Sequence, residues 1–501
     1  MPAIDIPAPV GGWNARDALA NMPPTDAVKL VNWIPRGSYV QSRGGYGVHA
    51  SGLGGPVQTL AAYRGSVELL LAAANGSIWD VTGTKFTVGT GYASNRWQVA
   101  NHSTKLVLAN GMDAPQVFDG TTMTAANFTG SPVDFTPSTM WSLNSFKGRM
   151  FYWAKGVQAF WYATAGAYQG VMTKFNMASQ LQTGGSLVQM VTWTLDSGSG
   201  VDDLAAFIFS TGETLIYQGS DPGDVNDWSL IGRFQIGEPM GPRAHAKSGG
   251  TEIIITRDGY IDLSVALKDG RYSEKSAYSA KIIKASKEVT SLYGTFDGWE
   301  AILYPAGQLF LVNIPTSAAG TAFQHVRETS SGGWCEFKGW NAQTFCTFGN
   351  RLFFGDSDGN VCLADNGAAD NGARIEAWGV PAFNALGNRG RRKQITAAAV
   401  TSSHSAPASY AYDGLADYGL TLRAALQDDN TSIGGDWDSS NWDVTDWSSG
   451  GIPTAGDTVT QGWKNCAAIG YTVTVSVRIR QKAQVINWYS THIQFRQAGV
   501  I

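Results

Sequence analysis

Seven times between residues 76 and 359, a small or polar residue followed by glycine breaks strand-like text. The pairs are Asn75-Gly76, Asn110-Gly111, Lys155-Gly156, Thr211-Gly212, Asp258-Gly259, Ala306-Gly307 and Asp358-Gly359. Apolar alternating text follows, such as Glu-Thr-Leu-Ile-Tyr after Gly212, and most have a second apolar run before them, such as Leu69 to Leu71 or Ile253 to Ile255. Strand, X-Gly, strand is a hairpin pattern, because glycine takes the positive φ of a tight turn at no steric cost. Successive glycines lie 35, 45, 56, 47, 48 and 52 residues apart, averaging 47. Periods of about 40 to 50 residues in strand-rich text belong to propeller blades. Sandwiches space their turns nearer to every ten residues or so. The period predicts an all-β fold with a β-propeller of six or seven blades over residues 51–370. An irregular stack of hairpins in a sandwich is the alternative.

Composition agrees with many short strands. Gly makes up 60 of 501 residues, there are 18 Trp, and only 15% of residues are charged. An apolar share of 43% is enough for a large core and excludes a disordered chain. The formal charge of −4 excludes a general basic field gripping nucleic acid, though not a local patch. No apolar run approaches the eighteen or so residues needed to span a bilayer. The first residues lack the basic and apolar regions of an export signal. Cys335, Cys346, Cys362 and Cys466 form no Cys-x-x-Cys pair, and three sit in strand-like text. They read as small buried side chains in a protein made in a reducing compartment.

Both ends depart from the period. Residues 1–50 carry six prolines (Pro2, Pro7, Pro9, Pro23, Pro24 and Pro35) and read as an extended arm. One amphipathic stretch, Asp26 to Trp33, predicts a two-turn helix capped by Thr25 or Asp26. Residues 371–501 predict a separate C-terminal β domain, with strands over Ile395 to Thr401, Gly470 to Arg480 and Val485 to Phe495. A Gly/Asp/Trp-rich insertion interrupts it at about 427–463.

Catalytic signatures are absent. There is no Gly-Lys dipeptide for a phosphate loop, no Gly-x-Ser-x-Gly and no His-Glu-x-x-His. The six histidines, at 49, 102, 245, 325, 404 and 492, lack ligand spacing. The chain therefore reads as a non-enzyme with no cofactor or metal. Asp356, Asp358 and Asn360 match the first half of a calcium loop, but Val361 stands where glycine is required and Gly367 where glutamate is. A hairpin turn is the better reading. Trp437, Trp442 and Trp447 recur every five residues beside Asp or Asn. That spacing collects them on no single face of a strand or helix, so packing is favoured over a sugar platform.

Two charge clusters remain. The segment Gln427 to Trp463 holds seven Asp, including Asp428, Asp429, Asp436, Asp438, Asp443 and Asp446, and no Arg or Glu, its one Lys (Lys464) falling just outside. It is either a solvated loop or a surface that repels phosphate. Arg389, Arg391, Arg392 and Lys393 sit on a Gly-rich turn before a strand. Phosphate contact, docking on an acidic neighbour and a solvated edge are their alternatives.

The opening text resembles that of the tail nozzle proteins of short-tailed phages, the tail tubular protein B family. The residues that carry the resemblance run from Gly11 to Val28, then Asn32-Trp33-Ile34-Pro35 and Arg43-Gly44-Gly45-Tyr46. Further matches are Ala73 to Val81, Asn110 to Gly120, Gly332 to Leu363, Phe383 to Lys393 and Trp488 to Thr491. The resemblance implies a propeller-bearing virion subunit, made in the host cytoplasm and assembled as a six-fold ring at the end of a short tail. Its partners would be further copies of itself, a tail adaptor ring, fibres or spikes, and DNA passing through the channel. In that setting the six named Asp would line the lumen, since each phosphate contact there would add friction. A glycan-binding or glycan-cleaving propeller of the virion (an adhesin or depolymerase) is the rival from another class, and a cellular propeller scaffold is a third.

Overall fold

The computed structural model describes residues 3–196, 201–269, 273–318, 320–387, 389–403, 409–422, 458–460 and 463–497. They divide into two compact units, each drawn from separate stretches of chain. One comprises residues 48–324 and 341–363; the other comprises 1–47, 325–340 and 364–501.

The first unit is a β-propeller. Its described residues form seven sheets in chain order. Blade one contains Thr59–Arg64, Glu68–Ala74, Ser77–Asp80 and Phe86–Thr90, paired antiparallel in sequence order. Blades two, three and four repeat this plan, starting from Gln98–His102, Met140–Phe146 and Leu187–Asp196. Blade five has three strands, His245–Ser248, Thr251–Thr256 and Gly259–Asp262. Helices Leu263–Asp269 and Ile283–Tyr293 pack on the last of them, covering an edge that would otherwise expose unpaired backbone. Blade six starts with Glu300–Tyr304 and Leu309–Pro315. Blade seven consists of Thr344–Phe348, Arg351–Gly355 and Val361–Ala364, and its fourth strand, Tyr46–Ala50, comes from the beginning of the chain.

The first strands of successive blades touch around the axis, except that Leu187–Asp196 of blade four meets the second strand of blade five, and Thr344–Phe348 returns to meet Thr59–Arg64. The ring is closed. Between blades the faces interlock through large side chains; Phe160 of blade three stacks on Phe207 of blade four with ring centres 4.8 Å apart, beside Tyr217 and Trp228. Burial of each such ring contributes roughly 2–3 kcal/mol.

The glycine period has a simple geometric origin. Gly76, Gly111, Gly156, Gly212 and Gly359 fall between the second and third strands of their blades and Gly259 opens the third strand of its own, each at positive φ. The exception is Gly307, in the first turn of blade six, where Gln308 takes the positive φ of 55°.

The second unit corrects the expected arm. Residues before 47 are strands of the same unit as the C-terminal residues: Ala3–Pro7 and Tyr39–Ser42 both pair with Asn487–Gln497. Asp26–Val31 is a strand rather than a helix, antiparallel to Ile375–Pro381 with Ala27 opposite Pro381. The carboxylate expected to cap a helix is buried and accepts from Asn14 Nδ2 at 2.8 Å. A two-turn helix is marginal alone, and β-branched Val28 and Val31 sit well in a sheet whose partner strand is present. The domain limits shift accordingly, because residues 325–340 leave the propeller and join this unit. The C-terminal strands lie where alternation placed them, as Lys393–Ser403, Val473–Gln481 and Asn487–Gln497. Trp33 and Trp488, both fully buried, meet at 5.6 Å.

Candidate functional site

The propeller axis is where seven inner strands converge, and an Arg–Glu ion pair and a His–Glu hydrogen bond lie along it. Arg243 lies just before the inner strand of blade five. Its guanidinium donates to Gln58 O at 2.9 Å, Thr59 Oγ1 at 2.7 Å, Trp97 O at 2.6 Å and Thr344 Oγ1 at 3.2 Å. It also stands 3.5 Å from Glu300 Oε2. One side chain thus ties blades one, two, six and seven to the chain entering blade five. Burial holds the Glu300 carboxyl above the usual range, against the pull of Arg243 and the Phe345 N–H. Burial likewise lowers Arg243, against the pull of Glu300.

The second pair is His245 and Glu252, on neighbouring strands of blade five, with Nδ1 2.6 Å from Oε1. A carboxylate only accepts, so Nδ1 carries the proton and Nε2 is the ring nitrogen left over. Two clefts of about 400 and 390 Å³ open beside these pairs and share Val99, Asn101, Asn144 and His245. Neither Arg243 nor Glu252 could be singled out from sequence, since no local motif marks them. Their position beside an inner strand becomes visible once the blade period is assigned.

In the second unit, the residues carrying the phage-like phrase form a buried knot. Arg43 donates to Asn32 Oδ1 at 2.9 Å, to Lys338 O at 2.6 Å and to both oxygens of Asp370. Its guanidinium carbon lies 5.3 Å from the Trp340 ring centre. A Cβ at Gly45 would stand 2.0 Å from Ala369 O, so no larger residue fits there without a backbone shift.

The expected basic cluster is divided. Arg389 and Arg391 are exposed, the latter reaching Gln497 Oε1 at 3.3 Å. Arg392 lies over Tyr471 at 5.9 Å, and Lys393 is fully buried, its ammonium donating to Tyr471 O at 2.9 Å. Lys393 therefore offers nothing to a phosphate. Asp428, Asp429, Asp436, Asp438, Asp443 and Asp446, with Trp437, Trp442 and Trp447, lie outside the described residues. Asp356 closes a turn, its Oδ1 accepting from the N–H groups of Asp358 and Asn360 at 2.9 and 2.7 Å. Among the described residues no group of three His, Cys, Asp or Glu is placed to hold a metal ion. The described histidines stay apart: His49 bonds Val81 O, His102 bonds Ser145 Oγ, His492 bonds Thr401 Oγ1, and His325 is buried against Trp13. His404 lies outside the described residues. All four cysteines are free and buried.

No family model and no curated protein matches this chain. Solved structures similar to it include YCF48 bound to D1 peptide, at 10% identity and a TM-score of 0.39 over 64% of this chain and 94% of that one. The extracellular domain of BT4673 from B. thetaiotaomicron gives 8% identity and a TM-score of 0.42 over 83% and 59%. PorZ of Porphyromonas gingivalis gives 10% identity and 0.38 over 81% and 55%.

Proposed function

We propose that this chain is a structural virion protein, the nozzle subunit at the distal end of a short phage tail, acting without a catalytic step of its own. The observation that supports this reading most is where the phage-like phrase falls. Asn32, Arg43 and Gly45 belong to the buried knot of the second unit, where Arg43 is held by five hydrogen bonds and Gly45 has no room for a Cβ. A phrase spent on internal fixings is tied to an architecture rather than to a variable surface.

In this reading six copies form the ring, since a heterologous contact must close on itself to give a finite assembly. The adaptor ring, fibres or spikes, and DNA in transit are its partners. DNA would run along the axis between copies rather than through the propeller, whose own axis Arg243 crosses. The acidic segment would face that lumen, where screening confines repulsion of phosphate to about 8–10 Å. Particle symmetry of assembled tails tests the reading: six-fold density containing this chain is expected, and any other symmetry overturns it. Release of reducing sugar from a host polysaccharide, abolished by one Asp→Asn change, would move the assignment to a depolymerase.

A further inference from the structure

We infer that the axial hollow of the propeller is a binding site for a small oxyanion, a carboxylate or phosphate group, held by Arg64 and Lys247. The two clefts share four lining residues and so adjoin within the axial hollow. Its volume suits a small molecule or one side chain and is far too small for a duplex.

The charges around this space do not balance. The acids lining it are Glu300, ion-paired with Arg243, and Glu252, bonded to His245. The bases are those two partners together with Arg64 and Lys247, both exposed and neither with a side-chain hydrogen bond or ion pair. In a chain whose formal charge is −4, the hollow therefore carries two uncommitted cations and no uncommitted accessible acid. Charged donors lining a concave space suit an oxyanion, since charge-assisted hydrogen bonds are about twice as strong as neutral ones.

Glu252 does not reverse this. Its side chain is 3% exposed, and Oε2 is closed off from solvent without a partner, so it has no oxygen to offer a ligand. It orients the His245 ring instead, by accepting the Nδ1 proton. The Asn101 and Asn144 amides already bond Ala62 O and Met190 O, which holds the walls in place. The inference concerns the isolated chain and is independent of the ring assembly proposed above.

Calorimetric titration of the purified full chain with inorganic phosphate, and separately with N-acetylglutamate, tests it. At least one anion should bind saturably. Arg64→Met and Lys247→Met should each weaken binding about tenfold, as the loss of one charged hydrogen bond predicts. Both side chains are exposed, so the variants should melt with the parent, which separates lost binding from lost fold. Response to phosphate alone assigns a phosphoryl ligand, and response to the glutamate alone a carboxylate. The inference is overturned if neither anion saturates, or if the double variant binds as well as the parent. Saturable binding of methylammonium, lost in Glu252→Gln, would equally overturn it in favour of a cation pocket.

Discussion

Arg43 sets both terminal nitrogens of its guanidinium against the Asp370 carboxylate, at 2.8 and 2.6 Å, across 327 residues of chain. The fork requires a planar donor, and Arg43 is 1% exposed. Arg43→Lys keeps the charge and loses the geometry, so it should destabilise the second unit by about 3 kcal/mol or more in a denaturant titration. Equal stability of Lys and Arg there would contradict the role assigned to the knot.

Arg243→Met should be more damaging than its partial exposure suggests, because it leaves Glu300 buried without its counter-charge. A loss of about 3–5 kcal/mol is expected. Adding Glu300→Gln should recover part of it, and a double-mutant cycle reads the coupling directly. Additive losses would mean that the pair does not act as one unit.

His325 gives a pH signature. Burial pushes its pKa down to about 3, opposed by Glu336 and assisted by Lys29. The unfolded chain takes up a proton below about pH 6.5 that the folded chain refuses. Stability should therefore fall as pH drops through that value and keep falling toward pH 3, by about 2 kcal/mol at pH 5. His325→Gln should flatten the decline between pH 6.5 and 5, above the range in which carboxylates titrate. An unchanged slope in the variant would assign the decline to another group.

The four thiols should be silent. Burial pushes Cys346, Cys362 and Cys466 up to about 12 and Cys335 higher still. A thiol reagent at neutral pH should label none in the native protein and all four in denaturant. Rapid native labelling of any one would show that its surroundings open.

What could be read in advance was what depends on neighbours in sequence. Gly76, Gly111 and Gly156 announce their turns because a positive φ is a local demand, and Val473–Gln481 shows its alternation within nine residues. Asp26–Val31 misled because its partner, Ile375–Pro381, lies some 350 residues away and a short amphipathic stretch fits either state. The axial pairs were illegible for the same reason. Glu300 and Arg243 are remote in sequence, and only the closed ring brings them to 3.5 Å. Lys393 looked like part of a basic patch because sequence spacing does not say which of four adjacent bases turns inward.

The pairing of Ala3–Pro7 with Asn487–Gln497 bears on how the protein is made. At roughly 5–20 residues per second, some tens of seconds separate the emergence of these two strands from the ribosome. During that time the amino-terminal strand has no sheet to join, while most propeller blades can form from contiguous text as they appear. The second unit is thus the last of the two to be completed, and its completion waits for residues 487–497. A nascent chain stalled or truncated before residue 487 keeps an unpaired edge, a target for holding chaperones or for aggregation. Synthesis through residue 497 is then the condition for closing the sheet that the first strand began.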